Sequence, residues 1–173
     1  MAAIGALIAA SLDGLMATED GGVAWLAPFE GLELGMEDFL RGIGTVVLGR
    51  RTYEQVVGFG APWPYAGKAA YVIARGVMTD LPDGARAWAH GAAALLPRLR
   101  AEALDVWVVG GPEVLADFIA AKALDALTLF VMPVVLGRGV ALWLPEAGGT
   151  ALELADAALL GGGVVRLDYR LAA

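Results

Sequence analysis

The sequence has no cysteine and no asparagine, and it has one histidine (His90) and one serine (Ser11) among 173 residues. The absence of cysteine excludes disulfides, thiolate nucleophiles and Cys-ligated metals, and we expect no metal site. Without asparagine the chain has no acceptor for N-glycosylation. These absences remove several classes of catalytic and structural site before any motif is considered.

Basic residues are also few, since 12 Lys and Arg stand against 19 Asp and Glu, a net charge of −7. A protein that binds the phosphate backbone needs a basic face, so we expect no nucleic-acid partner. Mean hydropathy is high, at +0.66, but the apolar runs break well before the ~18 residues that a membrane-spanning helix needs. The start of the chain lacks the basic region of a signal peptide. We therefore expect a cytoplasmic protein with no membrane partner, whose apolar excess is buried between subunits.

Apolar segments separated by turn residues indicate a chain that alternates strands with helices and ends in strands. This order predicts a single domain over residues 1–173, of the α/β class, with a mostly parallel central sheet and an antiparallel edge. Helices are predicted at 37–42, at 50–57, at 92–101, where Pro97 should bend or split the helix, and at 112–121. Strands are predicted at 3–10, 45–48, 69–74, 85–88, 106–109 and 126–132, and a final antiparallel hairpin joins 151–160 to 164–171.

Glycines and arginines follow three of the predicted strands. The stretch GRRT (49–52) follows the second strand, Arg75 follows the third, and Gly110 and Gly111 follow the fifth. Ligands of open α/β sheets bind beyond the carboxyl ends of the strands, where helix starts also present free N–H groups to anions. Each position alone favours a simple chain turn or a solvated arginine, but together they favour a dinucleotide. No G-x-G-x-x-G or Walker motif is present, so the site is not of the Rossmann kind.

Five segments resemble, in the same order, segments of the dihydrofolate-reductase-like proteins. They are LIAASLDG (7–14), VVLGRRTYE (46–54), YVIAR (71–75), VWVVGGPEVL (106–115) and LFVMPVVLGRG (129–139). The resemblance is greatest to the branch that contains the reductase domain of the bifunctional riboflavin-pathway deaminase-reductase. It implies a three-layer dihydrofolate-reductase-like domain and a homodimer. The implied activity is that of an NADPH-dependent reductase, which transfers hydride to a small heterocyclic or carbonyl substrate.

The resemblance also implies which residues hold the adenosine half of NADPH. The loop and helix start formed by Gly49, Arg50, Arg51 and Thr52 would hold the phosphates on the adenosine side. Arg75, at the end of the next strand, would reach the 2′-phosphate. The expected preference for NADPH over NADH depends on these arginines.

For the nicotinamide half, the resemblance implies contacts with two neighbouring strand ends. Gly110 and Gly111, joined by a cis peptide bond, would lie against the nicotinamide and the pyrophosphate. Backbone groups of Ile8 and Ala9 would contact the carboxamide. The adjoining helix start would be supplied by Pro112, Glu113, Val114 and Leu115.

A reductase of this kind also needs a proton source, and two acids are candidates for catalytic residues. Trp25, Pro28 and Glu30 are spaced much like the Trp, Pro and acid of true dihydrofolate reductases, so Glu30 is a candidate for a buried acid that holds a pterin or donates the proton. Tryptophan is also common here in riboflavin-type relatives, where no matching acid is needed. Asp13 follows the first strand, and its alternative role is to form a turn before glycine. A true dihydrofolate reductase and a non-catalytic nucleotide-binding domain remain alternative functions.

Overall fold

Eight strands form one central sheet in the computed structural model, which describes residues 1–171. A separate two-stranded sheet pairs the second strand with the eighth. The strands are β1 (Ile4–Ser11), β2 (Leu15–Ala17), β3 (Ile43–Gly49), β4 (Ala69–Ile73), β5 (Ala85–Trp88), β6 (Asp105–Gly110), β7 (Ala126–Met132), β8 (Val140–Ala141), β9 (Leu152–Leu159) and β10 (Val165–Leu171).

The strand order in the central sheet is β5-β4-β3-β6-β1-β7-β10-β9. The first six strands of this order pair in parallel, and β10 pairs antiparallel with both β7 and β9. The inner parallel strands β1, β3, β4 and β6 are largely apolar and buried, as is typical of parallel strands with helices on both faces of the sheet. The expected parallel sheet with a C-terminal antiparallel hairpin is therefore confirmed.

Four α-helices connect the strands. They are α1 (Met36–Gly42), α2 (Arg50–Gly58), α3 (Gly91–Arg100) and α4 (Pro112–Ala120), and a 3₁₀ helix covers Ala24–Phe29. Helix α3 is continuous across Pro97, so the split that the sequence suggested is not found. No helix within residues 1–171 has the length and apolar character that crossing a membrane requires.

The sheet lies between two helical layers, as the alternation of side chains along β1 shows. Ile8 belongs to the cluster that buries Leu115 and Phe118 of α4, whereas Leu7 belongs to the cluster with Tyr53 of α2. Successive side chains of a strand point to opposite faces, so the same short strand helps to fill both cores. The helix–sheet–helix arrangement is the three-layer fold that the resemblance implies.

Candidate functional site

Strands β1 and β6 separate toward their carboxyl ends. Their pairing runs from Ile4 with Val106 to Ala6 with Val108, whereas β1 stays paired with β7 as far as Ser11. Beyond Ala6, no described residue of β6 is paired with β1. The sheet therefore has an opening between its two central strands, lined by backbone.

Glycines of two strand ends meet beside this opening. A Cβ atom placed on Gly49 would lie 3.2 Å from Val114 Cγ2 and 3.7 Å from the backbone nitrogen of Gly111. A Cβ atom on Gly111 would lie 3.2 Å from Thr52 Oγ1. The Gly110–Gly111 peptide is cis, as the resemblance implies, and Gly110 has φ +117°. The ends of β3 and β6 thus lie close together, and a Cβ at either glycine would press on a side chain of the facing helix, Val114 or Thr52.

Two helices begin at these glycines. Helix α2 starts after Gly49 and helix α4 starts after Gly111, and neither start is capped by a side chain. An uncapped helix start presents backbone N–H groups and the positive end of the helix dipole. Pro112 at the first position of α4 has no N–H to contribute, so the donors there come from the residues that follow it. Two such starts side by side suit a ligand with several phosphate oxygens.

Arginines lie at the same carboxyl ends of the strands, which we call the rim of the sheet. Arg50 is exposed and pairs with Glu54 at 2.7 Å, and its Nη1 lies 3.6 Å from the position that a Cβ on Gly76 would occupy. Its guanidinium therefore reaches the chain that follows β4, beside Arg75, which is also exposed. Arg51 is exposed on the first turn of α2. Three cationic side chains therefore follow the ends of β3 and β4, at or near the uncapped start of α2.

The remaining residues expected at the cofactor site differ in what they expose. The side chains of Ile8, Val114 and Leu115 are buried, so Ile8 can offer a ligand only its backbone. Ala9 is partly exposed and faces the layer that contains the 3₁₀ helix. Glu113 is exposed on the first turn of α4. These positions border the candidate site, whose polar groups are backbone groups and arginines.

Sequence reasoning missed the segment that crosses the site. Met16 of β2 places its Cε atom 3.7 Å from the position of a Cβ on Gly110. Gln55 of α2 donates from Nε2 to the carbonyl oxygen of Gly21 at 2.6 Å, which ties the loop after β2 to α2. Strand β2 has only three residues, too short a pattern to be recognised, and the hydrogen bond of Gln55 to a distant loop leaves no pattern in the sequence.

Asp13 links the turn after β1 to the loop before β8 by hydrogen bonds. Its carboxylate accepts hydrogen bonds from Ser11 Oγ at 2.7 Å, from the N–H of Leu136 at 3.0 Å and from the N–H of Gly137 at 2.7 Å. These bonds, that of Ser11 first, lower the pKa of Asp13 to about 2. Asp13 is therefore ionised at neutral pH, which favours its role in the turn and argues against proton donation from this residue.

We predict that low pH breaks the hydrogen bonds between the Asp13 carboxylate and the N–H groups of Leu136 and Gly137. A carboxyl whose pKa falls on folding contributes stability above its usual value of 3.8 and loses that contribution as the pH drops toward about 2. The amide signals of Leu136 and Gly137 in NMR spectra should titrate together with a midpoint of about 2. Asp13→Asn should abolish this shared titration. A midpoint near 3.8, or a titration that survives in Asp13→Asn, would contradict the prediction.

Glu30 is not the buried acid that the spacing with Trp25 suggested. It lies directly after the 3₁₀ helix, its backbone N–H bonds to the carbonyl oxygen of Ala27, and its side chain is exposed. Trp25 and Phe29 take the inward positions of this short helix and pack on the core. Glu30 is left on the outside, so a catalytic role for it remains a prediction without support from burial.

Comparison with known proteins agrees with this geometry. The family model described as the RibD C-terminal domain matches residues 86–166. The uncharacterized protein YwjB of Bacillus subtilis is 37% identical over 164 residues, which covers 94% of this chain and 94% of YwjB. The chain belongs to the RibD C-terminal domain family. The suspected family is thereby confirmed.

Solved structures show that this RibD C-terminal domain protein has the dihydrofolate-reductase-like fold. A riboflavin biosynthesis protein from Shewanella sp. PV-4 matches with a TM-score of 0.87 at 22% identity, covering 99% of each chain. Dihydrofolate reductase from Enterococcus faecalis, in complex with NADP(H), matches with a TM-score of 0.71 at 18% identity, covering 99% of this chain and 97% of that one. At these identities the likeness establishes the fold and leaves the substrate open.

Proposed function

We propose that this protein is an NADPH-dependent reductase that transfers hydride to a small heterocyclic or carbonyl substrate and works as a homodimer. One observation carries the proposal. The uncapped starts of α2 and α4 meet at the glycines of two strand ends, beside the arginines and next to the opening between β1 and β6. A backbone cradle with nearby cations suits a phosphorylated dinucleotide.

The residues present fit NADPH at this site. The start of α2, with Gly49, Arg50, Arg51 and Thr52, would hold the phosphates of the adenosine side. Arg75, beside Arg50, would add charge-assisted hydrogen bonds to a 2′-phosphate. The start of α4, from Pro112 to Leu115, would provide backbone donors to the pyrophosphate.

The opening between β1 and β6 suits the other half of the cofactor. Backbone groups of Ile8 and Ala9 would bind the carboxamide, and Gly110 and Gly111 would lie against the ring without Cβ atoms between them. NADPH supplies the hydride when bound, and the protein's part is to hold donor and acceptor close together away from water. Met16, whose Cε lies 3.7 Å from the position of a Cβ on Gly110, would border the bound ring.

The substrate would bind on the side of Ala9 that faces the 3₁₀ helix. Trp25 and Phe29 pack in this layer and are only partly buried, so they offer apolar and aromatic surface near the strand end. Such surface suits the flat ring of a heterocycle. This arrangement supports a small ring system as the substrate.

Calorimetric titration with NADPH and NADH, followed by steady-state oxidation of NADPH, tests the proposal. We expect NADPH to bind at micromolar concentration and to be oxidised with one member of a panel of pterins, ribosylaminopyrimidines and small carbonyl compounds. Absence of NADPH binding would reject the reductase. Binding without turnover of any member would favour the non-catalytic nucleotide-binding domain.

A true dihydrofolate reductase is the second candidate, and the spacing of Trp25, Pro28 and Glu30 favours it. Because Glu30 is exposed, we predict that Glu30→Gln leaves NADPH-dependent turnover nearly unchanged, far from the ~100-fold loss expected when a general acid is removed. Glu33→Gln, at another exposed acid of the same segment, is the matched control. A loss of dihydrofolate turnover confined to Glu30→Gln would support the second candidate instead.

A further inference from the structure

The carboxyl ends of β4 and β5 lie side by side at the rim of the sheet. Ile73 and Trp88 are partners in the parallel pairing, and the N–H of Ala74 donates to the carbonyl oxygen of Trp88 at 3.0 Å. Arg75 and His90 each follow this pair by two residues. Because paired strands lie about 4.8 Å apart, Arg75 and His90 leave the sheet next to each other.

Both residues belong to the face of the sheet that carries α3 and α4. Ile73 and Trp88 pack against the core cluster that contains Leu115 of α4. The His90 ring contacts the Trp88 ring edge to face, with centroids 5.3 Å apart. Continued past Ile73, the alternation of side chains places Arg75 on the same face. A histidine therefore lies beside the arginine that is expected to bind the 2′-phosphate.

The His90 side chain has no structural task at the start of α3. It immediately precedes this helix, but it does not cap it, and none of the ion pairs within residues 1–171 involves it. The side chain is exposed. Trp88, its aromatic neighbour, is held by a hydrogen bond from its Nε1 to the carbonyl oxygen of Gly91 at 2.8 Å. The imidazole thus has a fixed neighbour on one side and is open to a ligand on the other.

Cations outnumber acids among the charged side chains on the elements around His90. Arg98 of α3 lies over the Trp88 ring, 5.4 Å from its centroid, and Arg86 of β5 lies over the Tyr71 ring at the same distance. An excess of cations on a chain whose net charge is −7 favours an anionic ligand at this place. Beyond these two, Arg75 and Arg50 lie toward β3, and the neighbouring helix α4 carries the acids Glu113 and Asp117.

We propose that the imidazolium form of His90 is a further contact of the 2′-phosphate of NADPH, and that it makes the preference for NADPH over NADH depend on pH. The inference rests on the proposed function, since it needs the same cofactor at the same rim. Histidine changes charge between pH 5 and 8, and a nearby phosphate favours its charged form. The contribution of His90 is therefore present at acidic pH and is lost as the pH rises through the midpoint of the bound state.

Proton NMR tests the contact directly, because the untagged chain has one histidine and its imidazole signals need no assignment. NADPH should move the pH midpoint of the His90 signals upward by about one pH unit, as an opposite charge nearby does. NADH, which lacks the 2′-phosphate, should leave the midpoint unchanged. An unchanged midpoint with NADPH bound would overturn this inference and leave the reductase standing, whereas absence of NADPH binding would remove both.

Substitutions separate a charged contact from packing on Trp88. His90→Gln should bind NADPH about 5- to 10-fold more weakly than the wild type at pH 6 and nearly as tightly at pH 8.5, with NADH binding unchanged in calorimetric titrations. The 2′-phosphate also titrates near pH 6, and the ratio of the two proteins at each pH cancels that effect. His90→Lys should bind NADPH more tightly than the wild type at pH 8.5.

Arg86→Gln is the matched control, since it removes a charge from β5 four residues before His90. Its NADPH affinity relative to the wild type should be the same at pH 6 and pH 8.5. Equal losses of NADPH and NADH binding in His90→Gln would show that the histidine only packs on Trp88, and would overturn the inference.

Discussion

Gly139→Ala should destabilise the protein by about 3–5 kcal/mol, among the largest effects of a single substitution. A Cβ atom at this position would lie 2.0 Å from the carbonyl oxygen of Ala17 and 3.3 Å from the Cα of Thr18. Both are backbone atoms, so no change of rotamer relieves the contact. The chain would have to move β8 away from β2, and Met16 of β2 would leave its position over Gly110.

Gly137→Ala is the matched control, two residues away on the same loop. Gly137 has φ +74°, and no atom lies within 4 Å of the position of its missing Cβ. Its cost is limited to the left-handed backbone conformation, roughly 1–2 kcal/mol. Urea unfolding of the two variants measures the difference. Equal midpoints would show that the contact between Gly139 and Ala17 does not constrain the loop.

Much of the fold can be predicted because its signals are local. The parallel strands are short apolar runs, and the strand predicted at 85–88 matches β5 residue for residue. The rim of the candidate site can also be predicted, since the glycines and arginines stand directly after their strands. The contacts that hold the rim together join residues far apart in the sequence. Asp13 binds the N–H of Leu136 across 123 residues of chain, and β2 pairs with β8 over a similar separation.

Glu30, the acid expected at the site, shows the limit of prediction most clearly. Trp25, Pro28 and Glu30 have a spacing that matches a family pattern, but spacing does not determine which side of a short 3₁₀ helix faces the core. Packing of Trp25 and Phe29 decides that, and it turns Glu30 outward. The opening between β1 and β6 cannot be predicted from the sequence either, because it depends on where the pairing of two strands distant in the chain ends.

Arg75→Ala should weaken NADPH binding about 10- to 100-fold, the effect of removing a hydrogen bond to a charged group worth ~1.5–3 kcal/mol. Binding of NADH, which lacks the 2′-phosphate, should change little. Arg170→Ala removes an exposed arginine from β10, far from the rim in the order of strands, and is the control for net charge. Calorimetric titration of each variant with both cofactors measures the ratio. Equal losses for NADPH and NADH would contradict a role for Arg75 at the 2′-phosphate.

The double variant decides whether Arg50 and Arg75 hold the same phosphate. Groups that share a partner lose less binding together than the sum of their separate losses, whereas independent groups are additive within ~0.3–0.5 kcal/mol. Since Arg50 reaches the chain beside Arg75, we expect the combined loss to fall short of the sum. Arg50 also pairs with Glu54, so Glu54→Gln should strengthen NADPH binding in the wild type and have no effect in Arg50→Ala. Additive losses, together with a Glu54→Gln substitution that leaves NADPH binding unchanged in the wild type, would assign the two arginines to separate phosphates.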